Sequence, residues 1–240
     1  MGRKSGSSST RRVVPAVSLE DVQKSYGDTV VLSCDSLEVL PGEAVVLVGH
    51  NGSGKSTLLS MVAGILEPSE GTILVHGDPP DAVEARRRRA WLPDTPVLYD
   101  DLSVEEHLEY TARLHGADAG DDRIEHLLER LGLSERRGDL PSRFSRGLRQ
   151  KTAIAVALCR PASVLLVDEP FVGLDAAGRV AFLELLDEAR AAGCTLLVAT
   201  HDPAVVDRFD RALVLDDGRI VADGAPTEVA SLAAGPHEPA

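Results

Sequence analysis

Gly49-His50-Asn51-Gly52-Ser53-Gly54-Lys55-Ser56 is the stretch on which the reading of this chain turns. It fits the pattern G-x-x-x-x-G-K-S, with the apolar run Ala44 to Val48 before it and Thr57-Leu58-Leu59-Ser60-Met61-Val62, a predicted helix, after it. Strand, glycine-rich loop and helix in that order make an anion cradle. The glycines let backbone N–H groups curl around phosphate oxygens, and the helix adds the positive end of its dipole. Lys55 can reach the outer phosphates of a bound polyphosphate, and the Ser56 hydroxyl can hold Mg²⁺. The alternative is a glycine turn that merely joins strand to helix, and the agreement of order, spacing and residue type argues against it. Gly49, His50, Asn51, Gly52, Ser53, Gly54, Lys55, Ser56 and Thr57 are therefore candidates for binding ATP or GTP.

A phosphate loop that does chemistry needs a second, acidic site. Val164-Leu165-Leu166-Val167-Asp168-Glu169-Pro170 supplies two carboxylates at the end of an aliphatic, strand-like run. Asp168 is placed to hold Mg²⁺ through its water shell, and Glu169 to accept a proton from, or orient, an attacking water. Taken alone, the same residues could be a strand that exits into an acidic turn.

Composition frames these motifs. With 240 residues the chain is the size of one large domain, and with 3% aromatic residues its core must be aliphatic, as in α/β folds whose buried parallel strands are built from Val, Leu and Ile. Short β-like runs at Val30 to Leu32, Ala44 to Val48, Val164 to Val167, Thr195 to Ala199 and Ala212 to Leu215 alternate with helical segments, which argues a largely parallel sheet. Between about Leu102 and Ala157 the texture changes, with Leu108, Tyr110, Leu114, Ile124, Leu127, Leu128 and Leu131 at helical spacing and no convincing strand, and the segment reads as a helical insertion. The formal charge of −13 makes a general nucleic-acid binder a poor reading, since that surface repels a polyanion. Arg86 to Arg89 read as a solvated helix end, with no catalytic role. Cys34, Cys159 and Cys194 lie too far apart for a zinc site and fit a reducing compartment. The apolar runs are far short of the ~20 residues that cross a bilayer. Residues 1–15 read as a flexible basic tail without the apolar stretch of a signal peptide.

The order of these motifs, from Val17 to Gly224, resembles the nucleotide-binding subunit of ATP-binding cassette (ABC) transporters. The family's signature, usually LSGGQ, has its counterpart in Phe144-Ser145-Arg146-Gly147-Leu148, where Ser145 and Gly147 match and two positions depart. The resemblance implies that Ser145, Arg146, Gly147 and Leu148 contact the γ-phosphate of ATP held by another subunit; on its own, Ser145 could be only an N-cap. Asp175 in Leu174-Asp175 resembles the D-loop that crosses the dimer interface, and His201 in Thr200-His201-Asp202 resembles the switch histidine, which hydrogen-bonds the γ-phosphate. Tyr26 occupies the place where the family stacks a ring on adenine. The main departure is Asp94, where the Q-loop carries Gln. A carboxylate can bind Mg²⁺ but cannot donate as an amide does, so Asp94 is a tentative metal ligand.

The resemblance implies a P-loop NTPase, RecA-like α/β core with a mostly parallel sheet, an antiparallel β edge and an inserted α-helical subdomain. Residues 16–240 would form one ABC ATPase domain: 16–98 and 158–225 the nucleotide-binding core, 99–157 the helical signature subdomain, and 226–240 a short C-terminal tail in which Thr227 caps a last turn. It implies ATP and Mg²⁺ as cofactors, and as partners a second nucleotide-binding subunit, alike or different, and a membrane permease whose helices enter a groove near Asp94 to Glu106. Its place would be peripheral, on the cytoplasmic face of the membrane. Arg146, Leu148, Asp94 and the run Leu98 to Val104 look most like exporters of the ABC-2 type, with an importer ATPase or a cassette driving a non-transport assembly process as alternatives.

Overall fold

The protein is described by a computed structural model covering residues 13–117 and 122–233. Among the described residues there are nine strands: β1 (Val17–Tyr26), β2 (Thr29–Val39), β3 (Ala44–Val48), β4 (Glu70–Val75), β5 (Arg89–Leu92), β6 (Val164–Asp168), β7 (Thr195–Ala199), β8 (Arg211–Asp216) and β9 (Arg219–Gly224). The helices are α1 (Lys55–Val62), α2 (Val83–Arg88), α3 (Val104–Leu114), α4 (Asp122–Arg130), α5 (Arg146–Leu158), α6 (Ala176–Ala191) and α7 (Pro226–Ala233).

The strands form one sheet in the order β4-β1-β2-β9-β8-β3-β7-β6-β5. From β8 to β5 every neighbouring pair is parallel, whereas β1 pairs antiparallel with β2 and β4, and β9 antiparallel with β8. The reason lies in the residues. β3, β6 and β7 are buried along their whole length and almost wholly aliphatic, which is what a strand covered on both faces requires. Their side chains alternate between two cores. Val45 and Leu47 pack with Leu58, Met61 and Val62 of α1 and with the antiparallel wing. Ala44, Val46 and Val48 pack with Ile154 of α5 and Phe182 of α6. All three cysteines are free and buried, and burial pushes their thiols up, Cys34 and Cys194 to about 11 and Cys159 to about 12.

Residues 104–158 hold α3, α4, α5 and two short 3₁₀ turns, with no strand among the described residues. Ser103 and Glu106 close a reciprocal capping box at the start of α3. Two sequence expectations need correction. Arg89 is not part of a solvated helix end: α2 stops at Arg88, and Arg89 opens β5 with its guanidinium buried and donating to the Pro80 carbonyl. Burial, reinforced by Arg86 and Arg160, pushes it down to about 10. Thr227 lies inside α7, and the exposed Ala225 N–H at its start donates instead to the Glu228 carboxylate. Of the expected N-terminal tail, residues 1–12 lie outside the described residues, while Val13 and Val14 are exposed and Ala16 is buried at the start of the sheet.

Candidate nucleotide site

The site sits where β3, β6 and β7 end. The chain leaves β3 at Gly49, where an added Cβ would stand 2.5 Å from Ser53 Oγ and still closer to the Leu215 carbonyl of the β8–β9 hairpin, so no side chain fits. Gly54 caps α1 with φ +104°, a left-handed conformation that releases the first N–H groups of the helix toward the loop. The hairpin tip closes the back of the loop: Gly218 N–H donates to the Ser53 carbonyl at 3.1 Å, and Ser33 N–H donates to the Gly218 carbonyl at 2.7 Å. Lys55 is buried. Its ammonium donates to the carbonyls of Gly49 at 2.7 Å and His50 at 3.1 Å, folded over the loop it is placed to serve.

Asp168 ends β6 and is only 4% exposed. Burial raises its carboxyl above the usual range and the neighbouring Glu169 and Asp94 charges add to this, opposed by a hydrogen bond from the Ser56 hydroxyl and by Lys55. Its Oδ1 has no hydrogen-bond partner, nor do Ser53 Oγ and Glu169 Oε1, all buried. Glu169 adopts φ +44°, turning the chain sharply out of the strand while its N–H donates to the Ala199 carbonyl. That turn brings its carboxylate 3.8 Å from Lys55 Nζ and 2.8 Å from His201 Nδ1.

These groups border a cavity of about 550 Å³. Tyr26, Asp94, Arg146 and His201 stand around it, and Asn51, Gly52, Gly54, Lys55, Ser56 and Thr57 form its floor. Tyr26 is exposed, with Lys24 Nζ 5.2 Å above its ring. His50 departs from the expected arrangement. Its ring does not line the cavity but sits on the hairpin tip, Nε2 at 3.0 Å from Asp216 Oδ1 and Nδ1 at 2.8 Å from the Asn51 carbonyl, and these two bonds raise its pKa.

The signature candidates divide. Ser145 is the N-cap of α5 and accepts from Leu148 N–H at 3.4 Å, and Gly147 lies so close to the Gly173 carbonyl that a Cβ would come within 2.6 Å of it. Of the four, only Arg146 lines the cavity of its own chain, passing over Gly173 on the way. Asp175 caps α6 by accepting from Gly178 N–H at 2.8 Å and pairs with Lys151 at 3.0 Å, which lowers its pKa.

Residues 32–172 match the ABC transporter family. The chain belongs to that family. It is 34% identical to the ABC-type transporter ATP-binding protein EcsA of Bacillus subtilis (strain 168), over 89% of this chain and 88% of that protein. It is 31% identical to the SkfA peptide export ATP-binding protein SkfE of the same organism, over 85% and 87% of the two chains. Among solved structures, the dimeric post-hydrolysis state of the ATP-binding cassette MJ0796 bound to ADP and Pi superposes with a TM-score of 0.80 at 27% identity, covering 88% of this chain and 98% of that one. The protein is thus the ATP-binding, ATP-hydrolysing subunit of an ABC transporter, and related cassettes pair into dimers. No helix among the described residues is long and apolar enough to cross a membrane.

For this ABC ATPase the unpartnered Asp168 Oδ1 beside the Ser56 hydroxyl is a donor set that fits a hard divalent cation. Two contributors to the site were not singled out from sequence. Gln150 of α5 is buried and donates to the Pro170 carbonyl at 3.1 Å, tying that helix to the turn after Glu169. The hairpin tip Asp216 to Gly218 braces the phosphate loop from a distance of more than 150 residues in sequence. The first could have been suspected from its place three residues after Gly147; the second is a tertiary contact with no local signal.

Proposed function

We propose that this ATPase powers a separate membrane-embedded exporter, working as a pair of cassettes on the cytoplasmic face of the membrane. The observation that carries the catalytic part is the arrangement of Glu169 between Lys55 and His201 at the mouth of the cavity. The export direction is supported by the likeness to a peptide export ATP-binding protein.

In this reading ATP enters with its purine on Tyr26 and its phosphates in the Gly49 to Thr57 loop. Lys55 exchanges the Gly49 and His50 carbonyls for phosphate oxygens, a substitution of weak neutral acceptors by charged ones. Ser56 and Asp168, with Asp94 within electrostatic reach, would hold Mg²⁺, which neutralises phosphate charge when bound. Glu169 takes the proton of the attacking water. The His201 ring, whose Nδ1–H now donates to Glu169, holds that carboxylate in place and borders the cavity that the phosphates would enter. Ser145, Gly147 and Leu148, which do not line their own chain's cavity, are left to meet the nucleotide of the second cassette, with Arg146 at the rim between the two and Asp175 at the junction.

The test is to express Glu169→Gln in the native host, solubilise membranes in detergent and identify what co-purifies. A polytopic membrane protein of about six spans is expected. A receptor subunit beside it would point to import instead, and only soluble partners would overturn the transport reading.

A further inference from the structure

Helix α3 carries a buried histidine that the nucleotide chemistry does not use. His107 is 3% exposed, and both of its ring nitrogens are engaged. The Tyr99 N–H donates to Nε2 at 2.8 Å, so Nε2 must be bare, and the ring proton sits on Nδ1, which donates to the Ser103 carbonyl at 2.7 Å. The ring is therefore neutral and fixed in one tautomer. The Tyr99 ring lies against it, with centroids 5.8 Å apart, and Tyr110 meets Tyr99 edge-on at the same distance.

What this ring holds is the segment between β5 and α3. At one end of it Asp94 lines the nucleotide cavity; further along, Val97 is 86% exposed and Tyr99 56%. Pro93 and Pro96 fix two of its φ angles and keep the residues before them extended. No other side chain hydrogen-bonds the backbone of residues 93–102 among the described residues. A stiff segment is thus anchored by β5 at the cavity, by the Ser103–Glu106 cap at α3, and by one imidazole between them.

We propose that His107 is a positioning residue for ATP hydrolysis: by clamping Tyr99 it sets where Asp94 stands in the cavity and makes the outward Val97–Tyr99 face and Asp94 move as one body. This rests on the reading of Asp94 as part of the ATP site. The clamp acts through an acceptor atom at one point, so a side chain that restores the acceptor restores the effect.

The experiment uses the purified full chain with MgATP and compares His107→Leu, His107→Gln, Asp94→Asn and His107→Leu combined with Asp94→Asn. Hydrogen exchange of the Tyr99 amide reads the clamp, and steady-state hydrolysis reads its consequence. His107→Leu is expected to speed Tyr99 exchange by about tenfold or more and to lower kcat by about fivefold with KM for ATP little changed. His107→Gln, whose amide oxygen can accept the same N–H, is expected to recover both. In the Asp94→Asn background, His107→Leu should add nothing to the loss of kcat. Equal loss of kcat with and without Asp94, or unchanged Tyr99 exchange, overturns the proposal. If His107→Leu does not fold, Tyr99→Pro removes the donor from the exposed side and is held to the kcat outcomes alone, a loss of about fivefold that disappears in the Asp94→Asn background. A wild-type chain with no hydrolysis would count against the reading of the ATP site, and the exchange measurement would still decide whether the clamp exists.

Discussion

His201 Nδ1 lies 2.8 Å from Glu169 Oε2, and the His201 backbone N–H points to the same oxygen at 3.3 Å. One carboxylate oxygen is thereby held by two donors, while the other, Oε1, is buried without a hydrogen-bond partner and faces the Lys55 ammonium at 3.8 Å. Such a carboxylate has a fixed orientation and one oxygen whose acceptor capacity is unused. Glu169→Gln keeps the shape and loses the base, so kcat for ATP should fall by about 10³-fold with ATP affinity retained. His201→Ala leaves the base present but loosely held and should cost about 10- to 100-fold. Single-turnover hydrolysis and nucleotide titration on the two variants separate these losses; equal effects would mean that Glu169 acts only through His201.

Asp168 gives a pH-dependent prediction. Burial raises its pKa in the folded chain, so between the ordinary carboxylate value and the raised one the folded state holds its proton while the unfolded state has lost it. Stability contributed by this residue is highest at acid pH and declines as pH rises through that window. Asp168→Asn removes the penalty. The nucleotide-free variant should melt higher than wild type at pH 7, by about 2–4 °C for each kcal/mol relieved, and the gain should vanish near pH 4. The same substitution should abolish stabilisation by Mg²⁺ with ATP. Thermal melts at the two pH values, with and without MgATP, check both signs.

Gly49 offers a purely steric test. A methyl group there would collide with the Leu215 carbonyl and stand 2.5 Å from Ser53 Oγ, and both are held by the hairpin tip. Gly49→Ala should destabilise the chain by about 1–3 kcal/mol and weaken ATP binding by displacing the loop. An unchanged melting temperature would show that the hairpin yields.

How much of this was legible depended on burial. β3, β6 and β7 are nearly pure aliphatic runs because they are covered on both faces, and their sequences announce them. The run Val30 to Leu32 disclosed only the start of β2, which continues to Val39, and β1, β4 and β9 were not separable, because their faces are half exposed and the pairings of β4 with β1 and of β9 with β2 join residues distant in sequence. Within the site, the acids were visible from their position after an aliphatic strand. The left-handed turn at Glu169 and its contact with a histidine 32 residues away were not, since both arise from the packing of β6 beside β7. His50 sat inside the right motif yet faces the hairpin, because the loop's backbone, not its side chains, forms the cradle. In the run Arg86 to Arg89 a change from helix to strand after Arg88 turns one guanidinium inward.

That inward turn depends on a second buried arginine. Arg160 Nη2 donates to the carbonyls of Arg86 at 3.0 Å, Arg87 at 3.3 Å and Arg89, closing the end of α2, while Nη1 contacts the His115 ring. Arg160→Met fills the space and strands those acceptors, at a cost of about 3 kcal/mol. A fall in melting temperature on the order of 6–12 °C is expected, with ATP binding by the remaining folded protein unchanged, since the contact lies at the opposite ends of the strands from the cavity. Denaturation with and without nucleotide distinguishes this from a site effect.

Asp94 lines the nucleotide cavity, and its charge is one cause of the raised Asp168 pKa. Asp94→Gln removes a negative charge and adds an N–H₂ donor without changing what the rest of the cavity presents. The Asp168 carboxyl should then ionise more readily, so the pH at which hydrolysis reaches half its plateau should move to lower values, while ATP affinity at neutral pH stays within about twofold. The amide is also a neutral ligand, so the Mg²⁺ concentration needed for half-maximal rate should rise. Rate profiles against pH and against Mg²⁺ measure the two effects independently. A shift in neither would place Asp94 outside the metal's electrostatic reach and leave its role to the surface on which Val97 and Tyr99 stand exposed.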